Sequence, residues 1–204
     1  MTTTLNVSSY RFVPLDDLPV LQATLRERAD ARGLKGTVLL APEGINLFLA
    51  GPADDVRGWL DALRSDPRFA GLDAKESWSD GVPFRRLRVR LKGEIIRMNQ
   101  PAIRPAAGRA PAVDPPTLAR WLQQGHCDAG RPVVMLDTRN DFEVDAGAFD
   151  GAIDWRLRKF SDFPAALAAH RDQLQGKTVV SYCTGGIRCE KAALVMRELG
   201  VEHT

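Results

Sequence analysis

Thr178-Val179-Val180-Ser181-Tyr182-Cys183-Thr184-Gly185-Gly186-Ile187-Arg188-Cys189-Glu190-Lys191 is the stretch on which the reading of this chain turns. Its first five residues are an apolar, strand-like run that stops at Tyr182, and from Cys189 to Leu199 the pattern becomes helical. Between the two lies a Gly-rich loop. A cysteine therefore sits at the C-terminal end of a strand, just ahead of a helix, where backbone N–H groups converge and the helix dipole favours an anion. A thiol placed there has a lowered pKa, and the thiolate is its reactive form. Arg188 closes the loop with a fixed positive charge, and the glycines let the backbone close round the sulfur. The amides of Thr184, Gly185, Gly186 and Ile187 are the expected donors. The Thr184 hydroxyl is able to donate to a bound oxyanion or to cap its own backbone.

Working outward, Pro132-Val133-Val134-Met135-Leu136-Asp137 is a continuous apolar run bounded by turns, as expected of a parallel strand covered on both faces. Helical patterns occupy Pro116 to Gln124, carrying Leu118, Trp121 and Leu122, and Phe163 to Leu174. Strands and helices alternate, which predicts an open α/β sheet whose ligands bind outside the carboxyl ends of the strands. Asp137-Thr138-Arg139 and Cys183 both occupy such ends. Asp137 and Arg139 are expected either to orient the loop or to form a buried structural pair. Cys189 is either a resolving thiol for an oxidised Cys183 or a small buried residue in the first helical turn. Gly200 ends the last helix and only Val201-Glu202-His203-Thr204 follow, where an alternating fold calls for another strand. The expectation is a domain incomplete at its C-terminus, with unpaired backbone groups along a sheet edge.

The first part of the chain has a different rhythm. A strand at Val7 to Val13 precedes a helix opened by Asp16 or Asp17 and running to about Arg32, with Leu18, Leu21, Leu25 and Ala29 on one face. Gly36 to Ala41 and Ile45 to Ala50 flank the turn Pro42-Glu43-Gly44 as a hairpin. A second helix follows Asp54 or Asp55, bearing Val56, Trp59, Leu60 and Leu63, and extended segments follow at Ala74 to Trp78 and Arg86 to Leu91. The order β-α-β-β-α-β fits a ferredoxin-like split unit. Prolines and alanines then crowd residues 100–114. The expected division is a ferredoxin-like α+β domain over 1–99, a linker over 100–114 and an α/β domain over 115–204.

Charge is more informative in its distribution than in its sum of +2. Arg86, Arg88, Arg90 and Lys92 alternate with Leu87, Val89 and Leu91, so a strand there turns its cations to one face and its apolar groups to the other. That face is a candidate phosphate track, or a solvated face paired with acids of the same chain. Arg156, Arg158 and Lys159 beside Trp155 and Phe160 form a second basic-aromatic cluster, able to stack on a base or to pack in the core. The apolar fraction of 44% is that of a globular protein. The sequence shows neither an apolar run long enough to span a membrane nor a basic n-region followed by an apolar core, which points away from a membrane. The sparse, odd set Cys127, Cys183 and Cys189 reads as cytoplasmic thiols rather than a disulfide framework. His126, His170 and His203 are scattered, so no metal site is expected.

The loop also carries a resemblance. Four residues separate Cys183 from Arg188, one fewer than in protein tyrosine phosphatases, and this shorter cradle resembles the rhodanese family, whose cysteine carries a persulfide. The full run CTGGIRCEKA resembles the rhodanese-related tRNA uridine hydroxylases. So do Lys35-Gly36-Thr37-Val38-Leu39-Leu40-Ala41-Pro42-Glu43-Gly44-Ile45-Asn46, Pro83-Phe84 through Lys92-Gly93-Glu94-Ile95-Ile96, and Asp137-Thr138-Arg139-Asn140-Asp141-Phe142-Glu143-Val144 with Gly147-Ala148-Phe149. The resemblance implies an N-terminal acylphosphatase-like form of the ferredoxin-like unit and a C-terminal rhodanese-like domain. It implies oxygen-dependent hydroxylation of a tRNA wobble uridine to 5-hydroxyuridine, with Cys183 as the essential cysteine. It implies molecular oxygen as co-substrate, no metal or organic cofactor, and tRNA, bound at its anticodon region, as partner rather than DNA. Two alternatives stay open: a thiosulfate-type sulfurtransferase working through a Cys183 persulfide, and a non-catalytic RNA-binding fragment.

Overall fold

Hydrophobic periodicity places the elements of the first half. Strand β1 (Thr4–Phe12) leads to helix α1 (Leu18–Asp30), the hairpin β2 (Lys35–Ala41) and β3 (Gly44–Gly51), helix α2 (Ala53–Arg64), and strands β4 (Lys75–Ser79) and β5 (Leu87–Leu91). The computed structural model describes residues 3–204. The sheet order is β4-β1-β3-β2-β5. The first four strands are antiparallel neighbours in the order of the ferredoxin-like split unit, and β5 adds an edge strand parallel to β2. Leu21, Leu25 and Ala29 of α1 and Val56, Trp59, Leu60 and Leu63 of α2 join Val38, Leu47 and Leu49 of the sheet in one core. Each fully buried large aliphatic or aromatic side chain there contributes about 1.5–3 kcal/mol. Trp59 also satisfies its indole N–H on the Leu25 carbonyl at 3.3 Å.

One local expectation shifts for a visible reason. Asp17 occupies the N-cap position of α1, but its carboxylate does not cap the helix. Arg68 claims it instead, at 2.6 and 3.0 Å. The hairpin requires glycine at Gly36 and Gly44, where φ is 134° and 145°. A Cβ at Gly36 would strike the Phe48 carbonyl, and one at Gly44 the Arg11 carbonyl.

The second half alternates as expected. Helix α3 (Pro115–Gln124), strand β6 (Val133–Asp137), helix α4 (Asp141–Asp145), strand β7 (Ile153–Asp154), helix α5 (Phe163–His170), strand β8 (Thr178–Tyr182) and helix α6 (Ile187–Glu198) follow in turn. The three strands are parallel, in the order β7-β6-β8. Helix α6 begins at Ile187 rather than Cys189, and α5 gives way at Arg171–Leu174 to a 3-10 turn. Helix α3 covers the sheet less fully than its apolar stripe suggests: Leu118 and Trp121 are half-buried and Leu122 is exposed. After Gly200 the chain runs along β8. Val201 is buried, and the Val179 N–H donates to the His203 carbonyl at 2.8 Å, so that edge group is paired.

The chain divides into two compact units between Ile95 and Ile96, earlier than the expected boundary at 99. The segment expected as a linker belongs to the second unit. Met98 and Ile103 are buried in its core, Pro105–Ala107 forms a 3-10 turn, and Arg109 pairs with Glu190 on α6. Proline keeps this segment irregular without loosening it, because the apolar residues between the prolines find a core.

Candidate active site

The site begins with the register of two parallel strands. Asp137 at the end of β6 lies opposite Tyr182 at the end of β8. Thr138, the next residue, donates both its N–H and its hydroxyl to the Tyr182 carbonyl, at 3.1 and 2.9 Å. The backbone is thus fixed immediately before Cys183. Thr184 and the two glycines then turn the chain into α6, with Gly186 in the left-handed region at φ 95°. Its N–H donates to the Cys183 Sγ at 3.0 Å.

Cys183 has its pKa lowered to about 5. The largest cause is a hydrogen bond from the Cys189 thiol, aided by the positive charge of Arg188 and the amides of Arg188 and Cys189, which together outweigh a desolvation that would raise it. Cys189 moves the opposite way, first because it is the donor to Cys183 and then because it is desolvated. Its sulfur also lies 3.8 Å from the Thr138 hydroxyl. The two cysteines therefore divide one role: Cys183 holds the negative charge and Cys189 keeps the proton. The amides that reach the sulfur are that of Gly186, as the sequence suggested, and those of Arg188 and Cys189, one and two residues beyond the expected set.

Arg188 is committed elsewhere as well as to the sulfur. Its guanidinium forms a two-pronged pair with Glu143 of α4, at 2.6 and 2.8 Å, and both side chains are largely buried, at 11% and 19% exposed. The Thr184 hydroxyl donates to the same carboxylate at 2.8 Å, rather than capping its own backbone. The Asn140 N–H adds a third donor at 3.1 Å. These bonds, Arg188 first, hold the Glu143 carboxyl down at about 2. Glu143 is the residue that site reasoning from sequence passed over. Its signal was present in the spacing Asn140-x-x-Glu143, a helix-start pattern, but its partners lie 41 and 45 residues away.

Asp137 and Arg139 reach the cysteine through intermediaries. Asp137 is fully buried; burial alone would raise its pKa, but Arg139 at 2.6 Å and the Tyr182 hydroxyl keep it low. Arg139 also donates to the carbonyls of Glu143 and Gly147, at 3.3 and 2.7 Å, and its guanidinium lies over the Tyr182 ring at 5.3 Å. The pair anchors the loop after β6 and the residue before Cys183. Cys127 is buried apart from this constellation and accepts from the Thr178 hydroxyl at 3.2 Å. Among the described residues, no group of three or more His, Cys, Asp or Glu is placed to hold a metal ion.

The basic strand lies in the other unit. Arg86, Arg88, Arg90 and Lys92 are all exposed, Val89 is buried, and Leu87 is half-buried. Leu91 departs from the alternation, being exposed at the strand end. The Val89 carbonyl accepts from Gln22 at 2.8 Å and Arg26 at 2.9 Å, which covers part of this sheet edge. In the second basic-aromatic cluster the rings pack inward while Arg156, Arg158 and Lys159 stay exposed. Arg156 pairs with Asp145 and Asp154, Trp155 lies against Phe163 and His170, and Phe160 is buried.

Comparison with known proteins agrees with this architecture. Residues 4–95 match the family model described as UPF0176 acylphosphatase like domain, and residues 117–204 match the Rhodanese-like domain. A protein of Variovorax paradoxus named tRNA uridine(34) hydroxylase is 66% identical over 203 residues, covering 100% of this chain and 77% of its own length. Proteins of the same name from Delftia acidovorans and Bordetella petrii are 65% and 66% identical over 203 residues, covering 77% and 81% of their lengths and 100% of this chain. An N-terminal acylphosphatase-like domain, a rhodanese-type cysteine loop and identity of this extent along the whole sequence place the chain in the tRNA uridine(34) hydroxylase family.

Proposed function

We propose that this chain is a tRNA-modifying oxidoreductase that hydroxylates the wobble uridine at carbon five, giving 5-hydroxyuridine, with Cys183 as its essential group. The observation that carries the reading is the stabilised thiolate: a cysteine lowered to about 5 at a helix N-terminus, fixed by Thr138, Gly186 and the Arg188–Glu143 pair. Nothing about packing calls for a charged sulfur there, whereas nucleophilic or redox chemistry does. Molecular oxygen is the proposed co-substrate. One oxygen atom enters the carbon–hydrogen bond and the other leaves as water, with two electrons and two protons supplied by an external reductant. Cys189 is proposed to keep Cys183 ionised, and Arg188 and Glu143 to hold the loop. The proposed tRNA contact is the anticodon region, with the exposed cations of β5 as phosphate ligands.

The test is the modified nucleoside. tRNA exposed to the chain should yield a uridine heavier by one oxygen, and Cys183→Ser should yield none. The rhodanese-type loop is also suited to carry sulfane sulfur. A thiolated uridine in the same experiment would assign the chain to sulfur transfer instead.

A further inference from the structure

Strand β3 is buried at every position but one: Phe48 is 48% exposed in the middle of a five-stranded sheet. Side chains alternate along a strand, so Phe48 faces away from the core that Leu47 and Leu49 share with α1 and α2. The register shows what surrounds it. Lys75, Ser8, Phe48, Thr37 and Arg88 are successive cross-strand partners on β4, β1, β3, β2 and β5, and so form one row across the sheet. With strands about 4.8 Å apart, an exposed cation stands about 10 Å from the phenyl ring on either side. The neighbouring rows add Lys35 and Arg90 on the same face. The strand positions of this row and the two beside it on this face include no acidic residue. At one end of the face Asn46 is buried and donates to the Ile95 carbonyl at 3.1 Å, and the Ile95 N–H donates to Glu43 at 2.7 Å, so the platform centres on Phe48 and the Lys75–Arg88 row.

An exposed aromatic at the centre of a sheet, with hydroxyls beside it and exposed cations at the margins, suits a flexible polyanion that carries flat apolar groups. Charge complementarity selects RNA, and the ring selects its unpaired part, because paired bases cannot leave the stack to meet a protein aromatic. We propose that this face binds single-stranded RNA, with Phe48 stacked on one unpaired base and Lys75 and Arg88 engaging phosphates on either side. The inference deepens the functional reading above and rests on tRNA being the substrate. It extends the cation track of β5 into a two-dimensional platform with a base-recognition element.

The experiment measures binding of a fluorescent anticodon-loop oligonucleotide and of a fully paired RNA, as a function of salt, by the whole chain and by Phe48→Ala, Phe48→Tyr and Arg88→Ala. Thermal unfolding confirms that each variant is folded, and tRNA nucleoside analysis runs in parallel. Phe48→Ala should weaken loop binding about 5- to 150-fold at every salt concentration, and Phe48→Tyr should restore it. Arg88→Ala should instead lower the slope of log affinity against log salt by about 0.7. Unchanged loop affinity in folded Phe48→Ala, or equal affinity for paired RNA, overturns the platform. If the chain modifies tRNA and Phe48 is silent, this inference fails alone. If RNA binding depends on Phe48 but no modified nucleoside forms, the functional reading fails and the platform stands.

Discussion

The thiol pKa values of Cys183 and Cys189 shift in opposite directions, the first down and the second up, and this makes the residue-scale account testable. Cys183 is lowered to about 5 chiefly because Cys189 donates to it, so removing that donor raises the Cys183 pKa toward its ordinary 9.0. The rate of alkylation at Cys183 should rise with pH through a midpoint near 5 in the unaltered chain. In Cys189→Ala the midpoint should move up, to between 5 and 9.0; an unmoved midpoint would mean that Arg188 and the amides suffice. Glu143 has a different signature. Glu143→Gln removes the charge that Arg188 faces and leaves a mostly buried guanidinium short of a partner. The expected loss is about 3 kcal/mol, the low end for breaking a buried pair, read by chemical denaturation. The sign with pH follows from the depressed carboxyl. Its stabilisation is complete above the ordinary 4.5 and is lost as pH falls through about 2, and the variant should lack this component of acid unfolding.

At the scale of elements, the loop between β8 and α6 depends on Gly186 adopting φ 95°. An alanine there incurs the left-handed penalty of about 1–2 kcal/mol, or releases it by turning the amide away from the sulfur. Gly186→Ala should therefore either lower the melting temperature or raise the Cys183 pKa; a change in neither would show the turn to be permissive. The strand–loop–helix at this place was legible in sequence because its signals are local: an apolar run, two glycines and a helical pattern in immediate succession. The α1 and α2 faces were legible for the same reason, through residues such as Leu21, Leu25, Val56 and Trp59. Glu143 was not, since nothing within reach of α4 in the sequence indicates that Arg188 and Thr184 will arrive beside it. The row through Phe48 was equally hidden. Alternation gave one strand's cations, but only cross-strand register reveals that Lys75 and Phe48 stand in line with Arg88. The early boundary at Ile95 escaped because proline content says that a segment is irregular, not that it lacks a core to join.

On the scale of the whole molecule, the chain joins two units with separate cores, one carrying exposed cations and Phe48 on its sheet and the other a stabilised thiolate. On the reading proposed above these parts share a purpose, with RNA binding and cysteine chemistry serving a single modification. The most direct test is mass spectrometry of nucleosides from tRNA of cells that lack the endogenous activity, expressing either this chain or Cys183→Ser at equal soluble levels. The account predicts 5-hydroxyuridine or its derivatives with the former and none with the latter. Unmodified uridine in both, a thiolated uridine, or the same hydroxylated product from Cys183→Ser would contradict it.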